Sequence, residues 1–256
     1  MSIRPFTLTH DMNELRTRMA TYLMNTTPRD RGSWQGTKSP GSAYELPNVI
    51  VNVPQIPTAP QAVEICKPDM PWAEDHFDER VGGVPLNPAP SYVDWPWHSK
   101  AEAEKFVREG GKFDHTYPER MWPWGAGEEP FKRGIRFSTG DLEDVVGLLK
   151  RDPHTRQAYL PIWFPEDTGA MQEGKPIRVP CTLGYHFIRN GQFLDLNYFM
   201  RSCDLTRHFH NDVYMAVRLL QRVIEELKDT TAPPYVGEVT IFISNLHLFK
   251  NDAWRY

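Results

Sequence analysis

A cysteine and an arginine–serine pair stand twenty residues apart in the second half of the chain. Cys181 follows a proline, and Arg201 and Ser202 come later in the same segment. A nucleophilic cysteine needs positive charge next to its sulfur, and a guanidinium beside a hydroxyl is a compact anion-binding pair. Free cysteines are also among the most buried residue types. These residues alone leave two hypotheses open, a structural cysteine or a nucleophile beside an anion site.

The sequence between these residues predicts a β-hairpin. The runs CTLGYHFI and QFLDLNYFM flank Arg189-Asn190-Gly191, and Asn-Gly is a strong signal for a tight turn. Pairing of the two strands brings their outer ends together. We therefore expect Cys181 and Arg201 to be neighbours.

Further polar residues follow the arginine–serine pair. His208 and His210 precede a long predicted helix, but no third ligand has the spacing of a zinc site, so we expect no metal. Asp212 stands at the start of that helix, where a carboxylate commonly caps the first turn. In a pocket, the same carboxylate would contact the edge of a nucleobase.

The hydrophobic pattern predicts alternating helices and strands. Helices are predicted over 10–24, 99–111, 138–150 (capped by Ser138 or Thr139) and 211–228. Strands are predicted over 45–53, 157–164, 181–188, 192–200 and 238–249. The Pro- and Trp-rich segment 54–98 predicts loops and short helices. We expect one α/β (α+β) domain over 1–256, with helices packed on a mainly antiparallel or mixed sheet.

Composition argues against several classes of protein. The chain has 256 residues and a net charge of -4, which gives no reason to expect direct nucleic-acid binding. Its three cysteines are too sparse for a disulfide scaffold or a zinc module, and they favour a reducing, cytoplasmic location. The N-terminus has no signal-peptide core, and no apolar run of about 18 residues predicts a membrane span.

Together these motifs resemble the thymidylate synthase superfamily, which includes the pyrimidine nucleotide hydroxymethylases. That family carries Pro-Cys before a hairpin, Arg-Ser-x-Asp on the next strand, a base-reading Asn or Asp at the start of a long helix, and a late His-x-Tyr. The matching residues here are Pro180, Cys181, Arg201, Ser202, Asp204, Asp212 and His247. The spacings from Cys181 to Arg201 and from Asp204 to Asp212 match without a gap. The resemblance is specific over about 115–250 and weaker over 1–114.

Upstream segments resemble further motifs of the family. PRDRGSWQG resembles its phosphate-binding loop, which points to Arg31. DPHTRQ resembles the segment whose two arginines reach the partner subunit's phosphate, which points to Arg156, with Gln157 in place of the second. TYPERMW resembles the active-site tyrosine segment and points to Tyr117. DWPW stands where the family has Glu-x-x-Trp, which makes Asp94 the substitute for the catalytic glutamate.

The resemblance implies a thymidylate synthase-like fold, in which a large mixed sheet packs with helices and two subunits join sheet to sheet. It implies 5,10-methylenetetrahydrofolate as cofactor and a pyrimidine nucleoside monophosphate as substrate. The Cys181 thiolate would add to C6 of the pyrimidine. Asp204 would lie near the folate. The phosphate ligands would be Arg31, Arg201, Ser202 and Arg156 donated across the homodimer interface.

The base-reading position decides the substrate. Uracil presents O4 as an acceptor and N3–H as a donor, which a side-chain amide matches. Cytosine presents an amino donor and an N3 acceptor, which a carboxylate matches when it carries or shares a proton. The ungapped register puts Asp212 in this position, and a one-residue gap puts Asn211 there. We expect Asp212, because this register needs no deletion.

Departures from the synthases favour hydroxymethylation over methylation. Thr182 replaces the histidine after the cysteine, and Met200 replaces the glutamine before Arg-Ser. The chain also stops soon after the late motif, where synthases have a tail that excludes water. Phe249 lacks the hydroxyl that bonds the sugar. We expect a deoxycytidylate 5-hydroxymethylase, of the kind that supplies modified nucleotides to bacteriophages. The alternatives are a deoxyuridylate-acting synthase or hydroxymethylase, and a non-catalytic nucleotide-binding relative.

Overall fold

The computed structural model describes residues 4–30, 33–34, 37–38, 41–97, 104, 107–126, 139–172 and 178–256. The strands are β1 (Arg4–Thr7), β2 (Ser33–Trp34), β3 (Thr37–Lys38), β4 (Ala43–Val53), β5 (Tyr159–Pro161), β6 (Thr182–Asn190), β7 (Phe193–Met200), β8 (Cys203–Asp204) and β9 (Tyr235–Phe249). The α-helices are α1 (Met12–Met24), α2 (Ala59–Cys66), α3 (Trp72–Val81), α4 (Tyr117–Met121), α5 (Pro123–Ala126), α6 (Leu142–Arg151), α7 (Pro165–Gln172) and α8 (Phe209–Glu226). Short 3-10 helices cover Pro90–Asp94, Glu109–Gly111 and Lys250–Arg255.

A seven-stranded mixed sheet forms the centre of the described part of the chain. Its order is β1-β4-β9-β7-β6-β5, and β8 pairs with β9 off this path. Strand β9 is antiparallel to β4 and parallel to β7, whereas β6 is antiparallel to both β5 and β7. The predicted α/β fold, with helices packed on a large mixed sheet, is therefore confirmed.

The predicted hairpin is present, but its turn lies one residue later than the sequence suggests. Strands β6 and β7 pair as far as Asn190 opposite Phe193, so Gly191 and Gln192 form the loop. Gly191 has a φ of 58°, in the left-handed region that glycine adopts without steric cost. A two-residue hairpin loop needs a positive φ at its first position, and Gly191 supplies it.

The long helix α8 lies across strands β7 and β9. Its predicted apolar face is buried, including Val213, Val217 and Leu220. Full burial of such a side chain contributes about 1.5–3 kcal/mol. The N–H of His208 donates to the Asp204 carbonyl at 3.1 Å, which joins the start of α8 to β8. None of the described helices is both long enough and apolar enough to cross a membrane.

Helix α6 has the predicted apolar stripe but a different cap. Its stripe of leucines and valines is buried, as the spacing predicts. Asp141 is the N-cap residue, and its N–H donates to the Asp144 carboxylate at 3.2 Å. Of the two residues predicted as caps, Ser138 lies outside the described residues, and Thr139 precedes the cap.

The Pro- and Trp-rich segment 54–98 contains helices α2 and α3 and the 3-10 helix Pro90–Asp94. Helix α3 packs against α4 and α8, and it buries Trp72 and Phe77. The segment therefore joins the main fold through short helices. The helix predicted over 99–111 lies largely outside the described residues, apart from residue 104 and the 3-10 turn Glu109–Gly111.

A buried ion pair joins α4 to α7. The guanidinium of Arg120 donates to both carboxylate oxygens of Asp167, at 2.7 and 3.1 Å. The Phe164 N–H donates to the same carboxylate at 2.9 Å. The bidentate ion pair and the added hydrogen bond together offset the cost of burying both charges. Because α4 begins with Tyr117, this ion pair also fixes the position of that tyrosine.

Candidate active site

A cavity opens between the end of the β6–β7 hairpin, the start of α8 and helix α3. It holds about 1230 Å³ of empty space, its open mouth included. The sequence-predicted residues that line it are Tyr117, Cys181, Ser202, Asp204, Asn211, Asp212 and His247. The fold thus brings together residues from α4, the hairpin, β8, α8 and β9.

Arg201 lies directly across the hairpin from Cys181. Its N–H donates to the Cys181 carbonyl at 2.9 Å, and its Nη2 lies 3.8 Å from the Cys181 Sγ. The guanidinium also donates to the carbonyls of Pro180 and Val179, at 2.7 and 3.1 Å, and these bonds orient it. The sulfur therefore has a fixed positive charge beside it, which is what a nucleophilic cysteine requires.

The other two cysteines are less suited to nucleophilic chemistry. Both Cys66 and Cys203 are buried, whereas Cys181 is partly exposed. Burial raises the pKa of Cys66 to about 12 and also raises the pKa of Cys203. Those two thiols stay protonated near neutral pH, so thiolate chemistry in this chain points to Cys181.

Three hydroxyl groups meet beside Cys181, those of Thr182 and Tyr198 on the hairpin and that of Tyr117 on α4. Thr182 Oγ1 donates to the Tyr117 hydroxyl at 3.1 Å and lies 2.8 Å from the Tyr198 hydroxyl. Burial raises the pKa of Tyr117, and the neighbouring Cys181 raises it further. The tyrosine therefore stays neutral and keeps a proton that it can donate.

Ser202 and His247 meet at the edge of the cavity. Ser202 Oγ lies 3.3 Å from His247 Nδ1. His247 is buried on β9, where it pairs with Asp204 across the β8–β9 ladder. Since Ser202 follows Arg201 in the chain, a hydroxyl and a guanidinium stand next to each other here, as an anion site requires.

Two carboxyl groups face the cavity, the buried Asp204 and the partly buried Asp212. Burial raises the pKa of both Asp204 and Asp212 to about 6. Asp204 accepts a hydrogen bond from the Arg207 N–H at 3.1 Å. The Cys203 thiol lies 3.8 Å from Asp212, and the charge of Arg80 partly offsets the effect of burial there. Perturbed groups gathered in a cleft are typical of functional sites.

The raised pKa of Asp212 predicts a pH-dependent stability. The pKa rises from an ordinary 3.8 to about 6. Between these values the folded protein binds a proton that the unfolded chain does not, so stability falls as the pH rises through this window. We expect Asp212→Asn, which removes this partly buried charge, to raise the free energy of unfolding by about 1–3 kcal/mol at pH 8. The gain should largely vanish at pH 4, where the native carboxyl is already neutral.

Denaturant titrations at pH 4 and pH 8 measure this difference. The matched control is Asp229→Asn, since Asp229 is exposed, and its change should stay within about 0.5 kcal/mol at both pH values. A stabilisation by Asp212→Asn of equal size at both pH values would contradict the assignment of the effect to the partly buried charge.

The Asn211 side chain is bound to the loop between α2 and α3. Its Oδ1 accepts a hydrogen bond from the Asp69 N–H at 2.9 Å, and its Nδ2 donates to the Asp69 carboxylate at 2.8 Å. Nδ2 also lies 3.5 Å from the Arg207 carbonyl. The two neighbouring candidates for base reading therefore differ. The Asn211 amide is bound to other residues of the chain, whereas the Asp212 carboxylate faces the cavity.

Two cavity arginines are absent from the sequence prediction. Arg80, on α3, is 4% exposed, and its guanidinium lies 3.9 Å from the ring centroid of Tyr117. This guanidinium donates to His76 Nε2 at 3.1 Å. Burial lowers the pKa of His76 to about 4, and the charge of Arg80 contributes to this shift. The His76 ring is therefore a neutral acceptor. Arg178 also lines the cavity, 5.7 Å from the ring centroid of Trp95. The spacing of His76 and Arg80 is that of any exposed helical pair, so the sequence carries no signal for them.

Aromatic side chains form another wall of the cavity. The ring centroid of Trp95 lies 6.2 Å from that of Trp97 and 5.8 Å from that of Phe113, and both pairs of rings are stacked. His208 meets the Trp97 ring edge to face at 4.3 Å. Flat apolar surfaces of this kind suit a planar heteroaromatic ligand.

Four predicted residues are not among those that line the described cavity. One is Arg201, although its guanidinium lies 3.8 Å from the sulfur of Cys181, which does line it. Asp94 is exposed at the end of its 3-10 helix and does not line the cavity. Arg156 is exposed on the loop between α6 and β5, where its carbonyl accepts from His186 Nε2 at 3.1 Å. Arg31 lies outside the described residues. In the described ranges, no group of three His, Cys, Asp or Glu side chains is arranged to hold a metal.

Comparison with known families identifies the class of protein to which this site belongs. The thymidylate synthase family model matches residues 94–255, which is more than half of the chain. The chain therefore belongs to the thymidylate synthase family. A search of curated proteins finds no match.

Membership of this family defines the chemistry in general terms. The chain is a transferase that moves a one-carbon unit to C5 of a pyrimidine in a folate-dependent reaction. The family uses methylenetetrahydrofolate and acts on a pyrimidine nucleotide. The described residues fit such a cofactor, since the cavity combines stacked aromatic rings with the buried Asp204 carboxyl.

Proposed function

We propose that this protein is a deoxycytidylate 5-hydroxymethylase. The observation that carries the choice of cytosine is the position of Asp212, whose carboxyl faces the cavity while the neighbouring Asn211 amide is bound to Asp69. Base choice follows from which of these two side chains meets the ring.

The carboxyl of Asp212 complements cytosine. One oxygen accepts from the exocyclic amino group, and a protonated second oxygen donates to N3. A pKa of about 6 makes that protonated form accessible near neutral pH. Uracil, by contrast, has no basic ring nitrogen with which to share that proton, so the ionised carboxylate would face its O4 acceptor without a donor. An unmatched polar pair in a buried site costs about 1–3 kcal/mol.

The phosphate is assigned to the cationic end of the site. Arg201 and Ser202 supply a guanidinium and a hydroxyl, and His247 orients Ser202 through their contact. We assign Arg31 to the same phosphate on the strength of its motif. Arg156, which is exposed and outside this cavity, is assigned to the phosphate of the partner subunit in a homodimer. Binding energy from the phosphate would hold the ring in place for attack.

The covalent step is assigned to Cys181. Its thiolate forms a bond to C6, and the electrons of the C5=C6 double bond move toward C5. When bound, methylenetetrahydrofolate supplies the one-carbon unit, with Asp204 and the aromatic wall beside it. Tyr117 and Thr182 hold and move protons next to the sulfur. The C5 proton is lost as the transferred carbon separates from its carrier. After water adds to that carbon, the bond between C6 and the Cys181 sulfur breaks and the C5=C6 double bond is restored.

Hydroxymethylation differs from methylation in the group that adds to the transferred carbon, which is water rather than hydride. Thr182 and Met200 stand where the synthases have histidine and glutamine, and these departures support the proposal. The overall change adds one CH2O to the nucleotide and leaves tetrahydrofolate. Both carbon and hydrogen balance when one water is consumed.

A direct assay tests the proposal. The purified protein is incubated with formaldehyde, tetrahydrofolate and either dCMP or dUMP, and the nucleotides are weighed by mass spectrometry. We expect dCMP to gain one CH2O. A methyl gain, or activity on dUMP alone, would contradict the proposal. Tight nucleotide binding without any product would indicate a non-catalytic relative.

A further inference from the structure

The first turn of α8 offers two neighbouring side chains to a pyrimidine, and a residue far away in the sequence selects between them. We propose that Asp69 is a specificity-determining residue, which holds the Asn211 amide away from the base and leaves Asp212 as the base reader. This inference rests on the proposed function, because it concerns the choice of base in the same site.

The Asn211 amide lies in the wall of the cavity but has no donor left to offer to a base. Its side chain lines the cavity and is only 1% exposed. Reading uracil requires an amide that donates to O4 and accepts from N3–H. Nδ2 instead donates to the Asp69 carboxylate at 2.8 Å and lies 3.5 Å from the Arg207 carbonyl, so both of its hydrogens are directed at protein acceptors.

Asp69 is itself held in place as a charged acceptor. His210 Nε2 donates to the Asp69 carboxylate at 3.0 Å. This hydrogen bond is the main cause of the lowered pKa of Asp69, so the carboxylate stays ionised down to acidic pH. Hydrogen bonds to an ionised acceptor are roughly twice as strong as neutral ones. The backbone N–H of Asp69 adds a second contact to Asn211, which fixes the orientation of the amide.

Helix geometry explains why Asn211 is bound to Asp69 while its neighbour Asp212 can contact the base. Consecutive residues of an α-helix point about 100° apart, so Asn211 and Asp212 leave α8 in different directions. The loop between α2 and α3 covers the direction of Asn211. That loop continues into α3, which places Arg80 in the cavity. The same segment therefore both restrains Asn211 and completes the wall that Asp212 faces.

Removing the Asp69 carboxylate frees one particular group. In Asp69→Ala the backbone N–H at position 69 can still donate to Asn211 Oδ1, whereas Nδ2 loses its charged acceptor. The freed donor is what O4 of uracil needs. Asp69→Asn keeps an oxygen that accepts from Nδ2 and is the matched control.

The test measures binding of dCMP and dUMP to the full chain by isothermal titration calorimetry, without folate. We expect Asp69→Ala to lower the ratio of the dUMP Kd to the dCMP Kd by at least about tenfold. Asp69→Asn should keep this ratio within about threefold of the wild type. The double variant Asp69→Ala/Asn211→Ala should restore the ratio, since the freed amide is gone.

The outcomes separate this inference from the proposed function. A wild-type protein that binds dUMP more tightly than dCMP contradicts the proposed function itself. A wild-type preference for dCMP that is unchanged in a folded Asp69→Ala protein overturns only the role of Asp69. If Asp69 had only a structural role, its loss would weaken the binding of both nucleotides equally and leave the ratio of their Kd values unchanged. That outcome also overturns the proposed role of Asp69. If Asp69→Ala does not fold, Asp69→Ser, with a hydroxyl one atom shorter than the carboxylate, is measured in its place.

Discussion

Replacing Cys181 with serine is expected to lower kcat by roughly a thousandfold or more and to leave the Kd for dCMP within a few-fold. A serine hydroxyl at this position would be a much weaker nucleophile than a thiolate, because it stays protonated near neutral pH. Arg201, whose guanidinium lies 3.8 Å from the sulfur, would still bind an anion. Turnover is measured by mass spectrometry of the product, and binding by calorimetry.

The control for this variant is Cys66→Ala. Cys66 is fully buried on α2, away from the cavity, so its loss should reduce stability and leave kcat per folded molecule unchanged. If the Cys181→Ser protein keeps wild-type turnover, attack by the sulfur is not part of the reaction. A loss of turnover and binding together would instead indicate that the variant disturbs the hairpin.

The parts of the site that the sequence predicts are those fixed by local structure. The pairing of Cys181 with Arg201 follows from the alternating pattern of two strands and a glycine-containing turn, both of which lie within one segment. The turn is displaced by one residue, because Gly191 rather than Asn190 has the positive φ that the loop needs. The displacement leaves the pairing of the outer ends intact, so Cys181 and Arg201 are neighbours as predicted.

The parts that the sequence does not predict depend on contacts between distant segments. Arg80 reaches the cavity because α3 packs on α4 and α8, and nothing in its own helix distinguishes it from an exposed arginine. The contact from Asp69 to Asn211 joins residues that are 142 positions apart. Asp94 is the opposite case, because its resemblance to a motif suggests a cavity carboxyl, whereas its side chain is exposed and does not line the described cavity.

Stability and function compete at Asp212. The carboxyl is partly buried, and its desolvation raises its pKa to about 6 and makes its ionised form costly to the fold at neutral pH. Proteins commonly retain such destabilising groups where the chemistry needs them. In the proposed function, the same raised pKa would let the carboxyl carry the proton that N3 of cytosine requires. The predicted gain in stability from Asp212→Asn and the predicted change in base choice therefore have one cause.

Asp212→Asn is expected to change the preferred base from cytosine to uracil. The new amide donates to O4 and accepts from N3–H of uracil, and toward cytosine it can satisfy only one of the two groups without turning. A site built for one hydrogen-bonding pattern rejects the other strongly, so we expect the ratio of kcat/KM for dCMP over dUMP to fall by about a thousandfold or more. Competition between equal amounts of both nucleotides, with products separated by mass, measures the ratio directly.

This variant also separates the two candidate readers in α8. If Asn211 contacted the base, Asp212→Asn would change the rate for both nucleotides by a similar factor and leave their ratio near that of the wild type. Asp229→Asn, on an exposed residue, makes the same chemical change away from the cavity and should leave the ratio unaltered. A ratio that moves with Asp212 alone places the base against that carboxyl, and the Asn211 amide then stays with Asp69.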